Sequence, residues 1–146
     1  MIQRGSRFFG AACAGWALAL FASISTAVAH EYYAANFKII HPWALPTPPD
    51  VRQADVYLKF EEISGDDRLI SASSPFAGDA IILDASGSEI LSVEIKSNVE
   101  LELKPGGVHL QLRDLKVPLQ YERSYPMALI FEKSGRIDTE ISVGAH

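Results

Sequence analysis

Apolar and polar residues alternate along much of the chain with the period of a β-strand. Between positions 54 and 63, Val56, Leu58 and Phe60 fall on one face and Tyr57, Lys59 and Glu61 on the other, because successive side chains of an extended backbone point to opposite sides. Val99, Leu101 and Leu103 alternate with Glu100, Glu102 and Lys104 in the cleanest repeat of this kind. Residues 36–40, 68–73, 80–84, 90–94, 108–113, 125–132 and 136–143 also have strand character. Turn-prone clusters such as Ser64-Gly65-Asp66, Ala85-Ser86-Gly87 and Lys133-Ser134-Gly135 bound them. Pro42, Pro46, Pro48 and Pro49 predict an extended loop over 41–50, since each ring fixes φ and turns the preceding residue away from helix. Nowhere beyond residue 29 do apolar side chains recur at i, i+3, i+4 and i+7 for ten or more positions, so helix has little support. The pattern predicts an all-β fold of about nine strands, an antiparallel β-sandwich of Greek-key type.

The first 29 residues break this pattern. A short stretch with Arg4 and Arg7 leads into an apolar run over 11–24 and then into Ala27-Val28-Ala29, the arrangement of a secretory signal peptide cleaved after Ala29. Residues 30–146 remain as one domain. Of the chain's 13 Lys and Arg residues two lie in the leader, leaving 11 against 18 Asp and Glu, a net charge of −7. Cys13 is the chain's one cysteine and also lies in the leader, so the domain has neither a disulfide nor a thiolate ligand. Gly10-Ala11-Ala12 before it lacks the large aliphatic residue of a lipidation site, which favours ordinary cleavage.

Charge and apolar run length then narrow the function classes. No basic cluster is available to displace counterions from a phosphate backbone, which excludes nucleic acid as a partner. After cleavage no apolar stretch approaches the roughly 20 residues that span a bilayer, so the expectation is a monomer outside the cytoplasm, in the periplasm of a Gram-negative host. The chain also lacks a Gly-x-Ser-x-Gly elbow, a phosphate-binding glycine loop and a His-Glu-x-x-His pair, and it reads as a non-enzyme.

Several segments taken in order resemble the periplasmic copper chaperone family PCu(A)C. They are Ile40-His41-Pro42-Trp43-Ala44 with Thr47-Pro48-Pro49, Ala72-Ser73-Ser74-Pro75 with Ala77-Gly78, and Leu103-Lys104-Pro105-Gly106-Gly107-Val108-His109-Leu110. Leu115-Lys116 with Pro118-Leu119, and residues 130–135, are similar to that family's last hairpin. The resemblance implies a cupredoxin-like β-sandwich that carries Cu(I) outside the cytoplasm. Its implied partners are a copper-accepting respiratory oxidase subunit or another periplasmic copper carrier. It also implies a ligand set of two His-x-Met pairs and further methionines. Transferred onto this chain, the first His falls on Leu83 and its Met on Ala85, the second His is His109, and its Met falls on Gln111. No methionine lies between Gly87 and Glu100, so one implied ligand survives and Cu(I) binding is expected to be weakened. The rival expectation is a metal-free periplasmic interaction module that keeps the sandwich and has lost the site.

Two metal candidates follow. Alternation places His109 and Gln111 on one face and Leu110 and Leu112 on the other; His109 reads either as a residual copper ligand or as a hydrogen-bonded histidine at the sheet rim. Cleavage after Ala29 makes His30 the first residue, whose α-amine and imidazole together chelate Cu(II) without help from the fold; the competing reading is an unstructured terminal histidine. His41 reads as a hydrogen-bonded structural residue and Met127 as core filler. Asp79 and Asp84 read as solvated loop carboxylates, with a mixed oxygen and nitrogen site beside His109 as the alternative.

Overall fold

The computed structural model describes residues 30–144, so the leader, with its predicted cleavage and Cys13, lies outside the described residues. Eleven strands form: β1 (Glu31–Tyr33), β2 (Lys38–Ala44), β3 (Gln53–Glu61), β4 (Asp67–Ser73), β5 (Ala77–Leu83), β6 (Glu89–Ile90), β7 (Val93–Ile95), β8 (Leu101–Leu103), β9 (His109–Leu115), β10 (Ser124–Phe131) and β11 (Gly135–Val143). They hydrogen-bond in the order β6-β5-β9-β3-β2-β11-β10-β4-β7, with β1 added to β2 and β8 to β3. All pairs are antiparallel except β2 with β11. The described residues contain no helix long and apolar enough to cross a membrane.

The all-β cupredoxin-like expectation is met, and the alternation explains why. Val56, Leu58 and Phe60 of β3, Leu110 and Leu112 of β9, and Met127, Leu129 and Phe131 of β10 are all buried in one core. Phe37, Phe60 and Phe131 meet at its centre, with ring centroids 5.0 to 5.9 Å apart and two of the three contacts edge-to-face, an arrangement favoured by the ring quadrupoles. Met127 is core filler as expected, 1% exposed.

Three local expectations change. The loop predicted over 41–50 is strand as far as Ala44, because His41 adopts φ 45° and the β2–β3 register shifts between Ile40 and Trp43. Such a bulge takes the Pro42 nitrogen, which has no hydrogen to donate, out of the ladder. The run over 90–94 divides into β6 and β7 at Leu91, which is 89% exposed. The repeat at 99–103 narrows to β8, with Val99 outside it and exposed. With the addition of β1, the division at Leu91 brings nine strands to eleven.

One carboxylate fastens the far end of the sandwich. Asp67, 7% exposed at the start of β4, accepts from the Ser134 hydroxyl at 2.6 Å and from the N–H groups of Lys133, Arg68 and Ser134 at 2.8, 2.8 and 3.0 Å. It thereby clamps the β10–β11 turn, where Gly135 takes φ 70°, a conformation that favours glycine. Burial opposes ionisation, but the Ser134 hydroxyl and the three N–H donors outweigh it and hold the Asp67 carboxyl below its ordinary value of 3.8. A depressed folded pKa gives a stabilising contribution that is complete above the unfolded value and disappears as pH falls through the folded one. Asp67→Asn should therefore cost about 2 kcal/mol at pH 7, and the gap between variant and parent should shrink below about pH 4. Thermal melts at pH 7 and pH 3 check this; a gap as large at pH 3 as at pH 7 would refute the ionic part of the argument.

Candidate metal site

His109 is the first residue of β9 and follows the Lys104–Val108 turn. The turn closes through Lys104 N–H to the Val108 carbonyl at 3.1 Å and Gly107 N–H to the Lys104 carbonyl at 3.0 Å. Gly106 sits inside it at φ 78°, so the Lys-Pro-Gly-Gly sequence serves to deliver His109 into the ladder at a fixed position. There the imidazole Nδ1 lies 2.8 Å from the Gly107 carbonyl. A carbonyl only accepts, so Nδ1 carries the proton and the Nε2 side is left for another partner.

β9 lies between β3 and β5, and the two registers decide what surrounds that imidazole. Across β5, His109 pairs with Leu83, Gln111 with Ile81 and Arg113 with Asp79. Across β3, Gln111 pairs with Asp55 and Arg113 with Gln53. The position implied for the family's first histidine thus stands directly opposite the second, but it holds a buried leucine, 7% exposed. On the β3 side, Asp55 Oδ1 lies 3.5 Å from His109 Nε2 and accepts from Gln111 Nε2 at 3.1 Å. Gln111 Oε1 in turn accepts from Arg113 Nε at 3.1 Å. Tyr57 stands beside the imidazole, ring centroids 5.8 Å apart, and Trp43 stacks against Tyr57 at 4.7 Å. Burial first, then the Asp55 charge, pushes the Tyr57 phenol above its ordinary value.

The acidic residues considered from sequence do not join this cluster. Asp84 Oδ1 accepts from the Ser86 hydroxyl at 2.7 Å and from the N–H groups of Ser86 and Ser88 at 2.9 and 3.0 Å. Those donors, the Ser86 hydroxyl foremost, lower its pKa. Asp84 is a turn residue, in keeping with its reading as a loop carboxylate. Asp79 accepts from the N–H of Ala80. The carboxylate that does face His109 is Asp55, which the sequence reading passed over. Alternation alone puts Asp55 on the same face as Tyr57, but nothing in the spacing reveals that β3 lies beside β9.

His30 has an ordered backbone. Its carbonyl accepts the His41 N–H at 2.8 Å, continuing the β1–β2 register in which Glu31 pairs with Ile40. The backbones of His30 and His41 are therefore neighbours at the end of this ladder. β1 adds to the edge of β2 remote from β3, since Lys38, Ile39 and Ile40 pair with both strands. Three strand-to-strand steps, about 14 Å at the usual spacing, separate His30 from His109, and the two belong to different clusters.

Among the described residues no three His, Cys, Asp or Glu side chains gather as a metal cage. The donors at His109 are an imidazole, a carboxylate and an amide, without a thioether, and they do not fit Cu(I), which prefers soft ligands.

The family described as "Putative lipoprotein LpqE-like" matches residues 37–143. No curated protein matches the chain. Among solved structures, the apo PCuAC domain from PmoF1 is 27% identical, with 80% of this chain and 100% of that one covered and a TM-score of 0.74. The copper-bound PCuAC domain from PmoF2 is 25% identical over 80% and 99%, with a TM-score of 0.73. Cu(I)-DR1885 from Deinococcus radiodurans, at 18% identity, 84% of each chain and a TM-score of 0.62, is a likeness of fold alone.

The Gly107 contact generates a spectroscopic expectation. Neutral His109 should be the Nδ1–H tautomer, giving the characteristic pair of imidazole 15N shifts in long-range 1H–15N correlation spectra. Finding the proton on Nε2 would contradict the geometry described for the turn.

Proposed function

The chain belongs to the LpqE-like family of PCu(A)C domains, and from that premise we propose that it is a copper chaperone-like protein of the periplasm, with copper as cargo. On this reading copper is held at the amino terminus. Cleavage after Ala29 gives His30 a free α-amine beside its imidazole, and His41, bonded to it through the backbone, supplies the second imidazole of this reading. The observation that supports this reading is the 2.8 Å bond from the His41 N–H to the His30 carbonyl, which orders the terminus opposite a second histidine. An amine and imidazoles are borderline donors that suit Cu(II). Cu(I) binding at His109 is weakened, because Leu83, Ala85 and Gln111 occupy three of the family's ligand positions. The role is binding and delivery rather than catalysis, and the acceptor is a copper-accepting respiratory oxidase subunit or another periplasmic carrier.

One observation favours the metal-free interaction module as a second reading. Gln111 donates its amide N–H to Asp55 and its carbonyl accepts from Arg113 Nε, so the place of a methionine ligand is filled by a polar side-chain network.

Electron paramagnetic resonance on the correctly processed chain separates the two. The first Cu(II) equivalent should give a nitrogen-rich spectrum that is lost on acetylating the amino terminus, altered by His41→Ala, and unchanged by His109→Ala. Because both nitrogens of His30 must be deprotonated to bind, affinity should fall steeply on acidification. An absence of bound Cu(II) at neutral pH would leave the interaction module as the better reading.

Restoring the soft donors tests the depleted-site half of the proposal. The combined change Leu83→His, Ala85→Met and Gln111→Met should raise Cu(I) affinity by about a hundredfold or more, each tenfold being about 1.4 kcal/mol. Anaerobic competition against a chromophoric Cu(I) chelator measures it; a parent protein that already matches a strong chelator would show the depletion argument to be wrong.

A further inference from the structure

The face at His109 has lost the donors that suit Cu(I), but the donors that replace them form a geometry of their own. We propose that His109 Nε2 and the Asp55 carboxylate form a binding site for a borderline divalent cation of the zinc class, separate from the amino-terminal copper site.

Three observations carry this. The first is the separation. His109 Nε2 and Asp55 Oδ1 are 3.5 Å apart, longer than a charge-assisted hydrogen bond of about 2.7–2.9 Å. Nitrogen and oxygen ligands held about 2.0–2.2 Å from a tetrahedral zinc lie about 3.4 Å from one another. The pair is thus spaced as two ligands sharing one ion.

The second is orientation. Metal-binding histidines donate their other ring N–H to a carbonyl or carboxylate, and metal-binding carboxylates are themselves hydrogen-bonded. Both conditions hold without the ion: Nδ1 is fixed on the Gly107 carbonyl at 2.8 Å, and Asp55 is fixed by Gln111, which Arg113 holds in turn. In its neutral form with the proton on Nδ1, the imidazole turns the Nε2 lone pair toward the carboxylate, so two electron-rich atoms face each other where a cation would satisfy both.

The third is access. The His109 and Asp55 side chains are 14% and 42% exposed, and they sit on neighbouring strands of one sheet. The two protein donors leave the remaining coordination positions open to water. Nitrogen and carboxylate donors suit Zn2+ and disfavour Cu(I), so the chain keeps a cation site where its family's soft ligand set is missing.

Zn2+ titration of the secreted chain with its amino terminus acetylated, followed by calorimetry and 1H–15N spectra, tests the site apart from the copper reading. One Zn2+ should bind, with shifts at Asp55, Tyr57 and His109. Asp55→Asn and His109→Ala should each weaken binding at least about tenfold, and Gln111→Ala should do so by about tenfold through the lost orientation of Asp55. Asp55→Asn retains the oxygen that Gln111 bonds, so an unchanged spectrum elsewhere shows that the fold survives. No saturable binding up to about 1 mM, or binding unaffected by Asp55→Asn and His109→Ala, overturns the proposal. Neither result touches the amino-terminal Cu(II) spectrum, on which the copper reading stands or falls separately.

Discussion

Burial of Val56, Leu58 and Phe60 is the constraint on which the rest depends. These residues bring β3 into the core, and a strand whose even positions point inward has no freedom over where its odd positions point. Asp55 and Tyr57 are thereby committed to the opposite face. β9 obeys the same rule: Leu110 and Leu112 are 0% exposed, so His109, Gln111 and Arg113 must lie outward beside them. Pairing Val56 with Leu110 then fixes Asp55 against Gln111 and brings its carboxylate within reach of His109. The polar row is a by-product of the apolar one, and a slip of one residue would bury the carboxylate and expose the core.

This explains which parts of the molecule were legible in the sequence. Period-two alternation is a local signal, so the all-β class, most strand positions, the burial of Met127 and the shared face of His109 and Gln111 could be read directly. The bulge at His41 was not legible, because prolines at 42, 46, 48 and 49 look alike until the neighbouring ladders show that Pro42 alone lies within a strand. β1 was missed because three residues are too few to show a period. The site suffered most. Asp55 and His109, or His30 and His41, come together only through strand pairing, and pairing between distant segments leaves no trace in spacing.

The two candidate clusters differ in what holds them. At His109 the imidazole is tied to a turn carbonyl and the carboxylate to a side-chain chain that ends at Arg113, so the donors are fixed before any ion arrives. At the amino terminus one backbone bond aligns His30 with His41, and the proposed α-amine requires the predicted cleavage after Ala29. The first is built by the sheet, while the second depends on the proposed processing.

Fold and site therefore need separate arguments in this chain. The sandwich persists because its core depends on volume and alternation, which Leu83, Gln111 and Asp55 leave intact: Leu83 is buried, while Gln111 and Asp55 face outward. Metal preference depends instead on the atoms at a few positions of the same ladder, where a thioether or an amide fits equally well on the pleat. Replacing soft by hard donors at such positions costs a fold little and, on the proposed reading, changes the ion that the surface prefers. The likeness to PCuAC domains thus secures the scaffold, while the metal chemistry proposed for this chain rests on the nitrogen and oxygen atoms at His30, His41, Asp55 and His109.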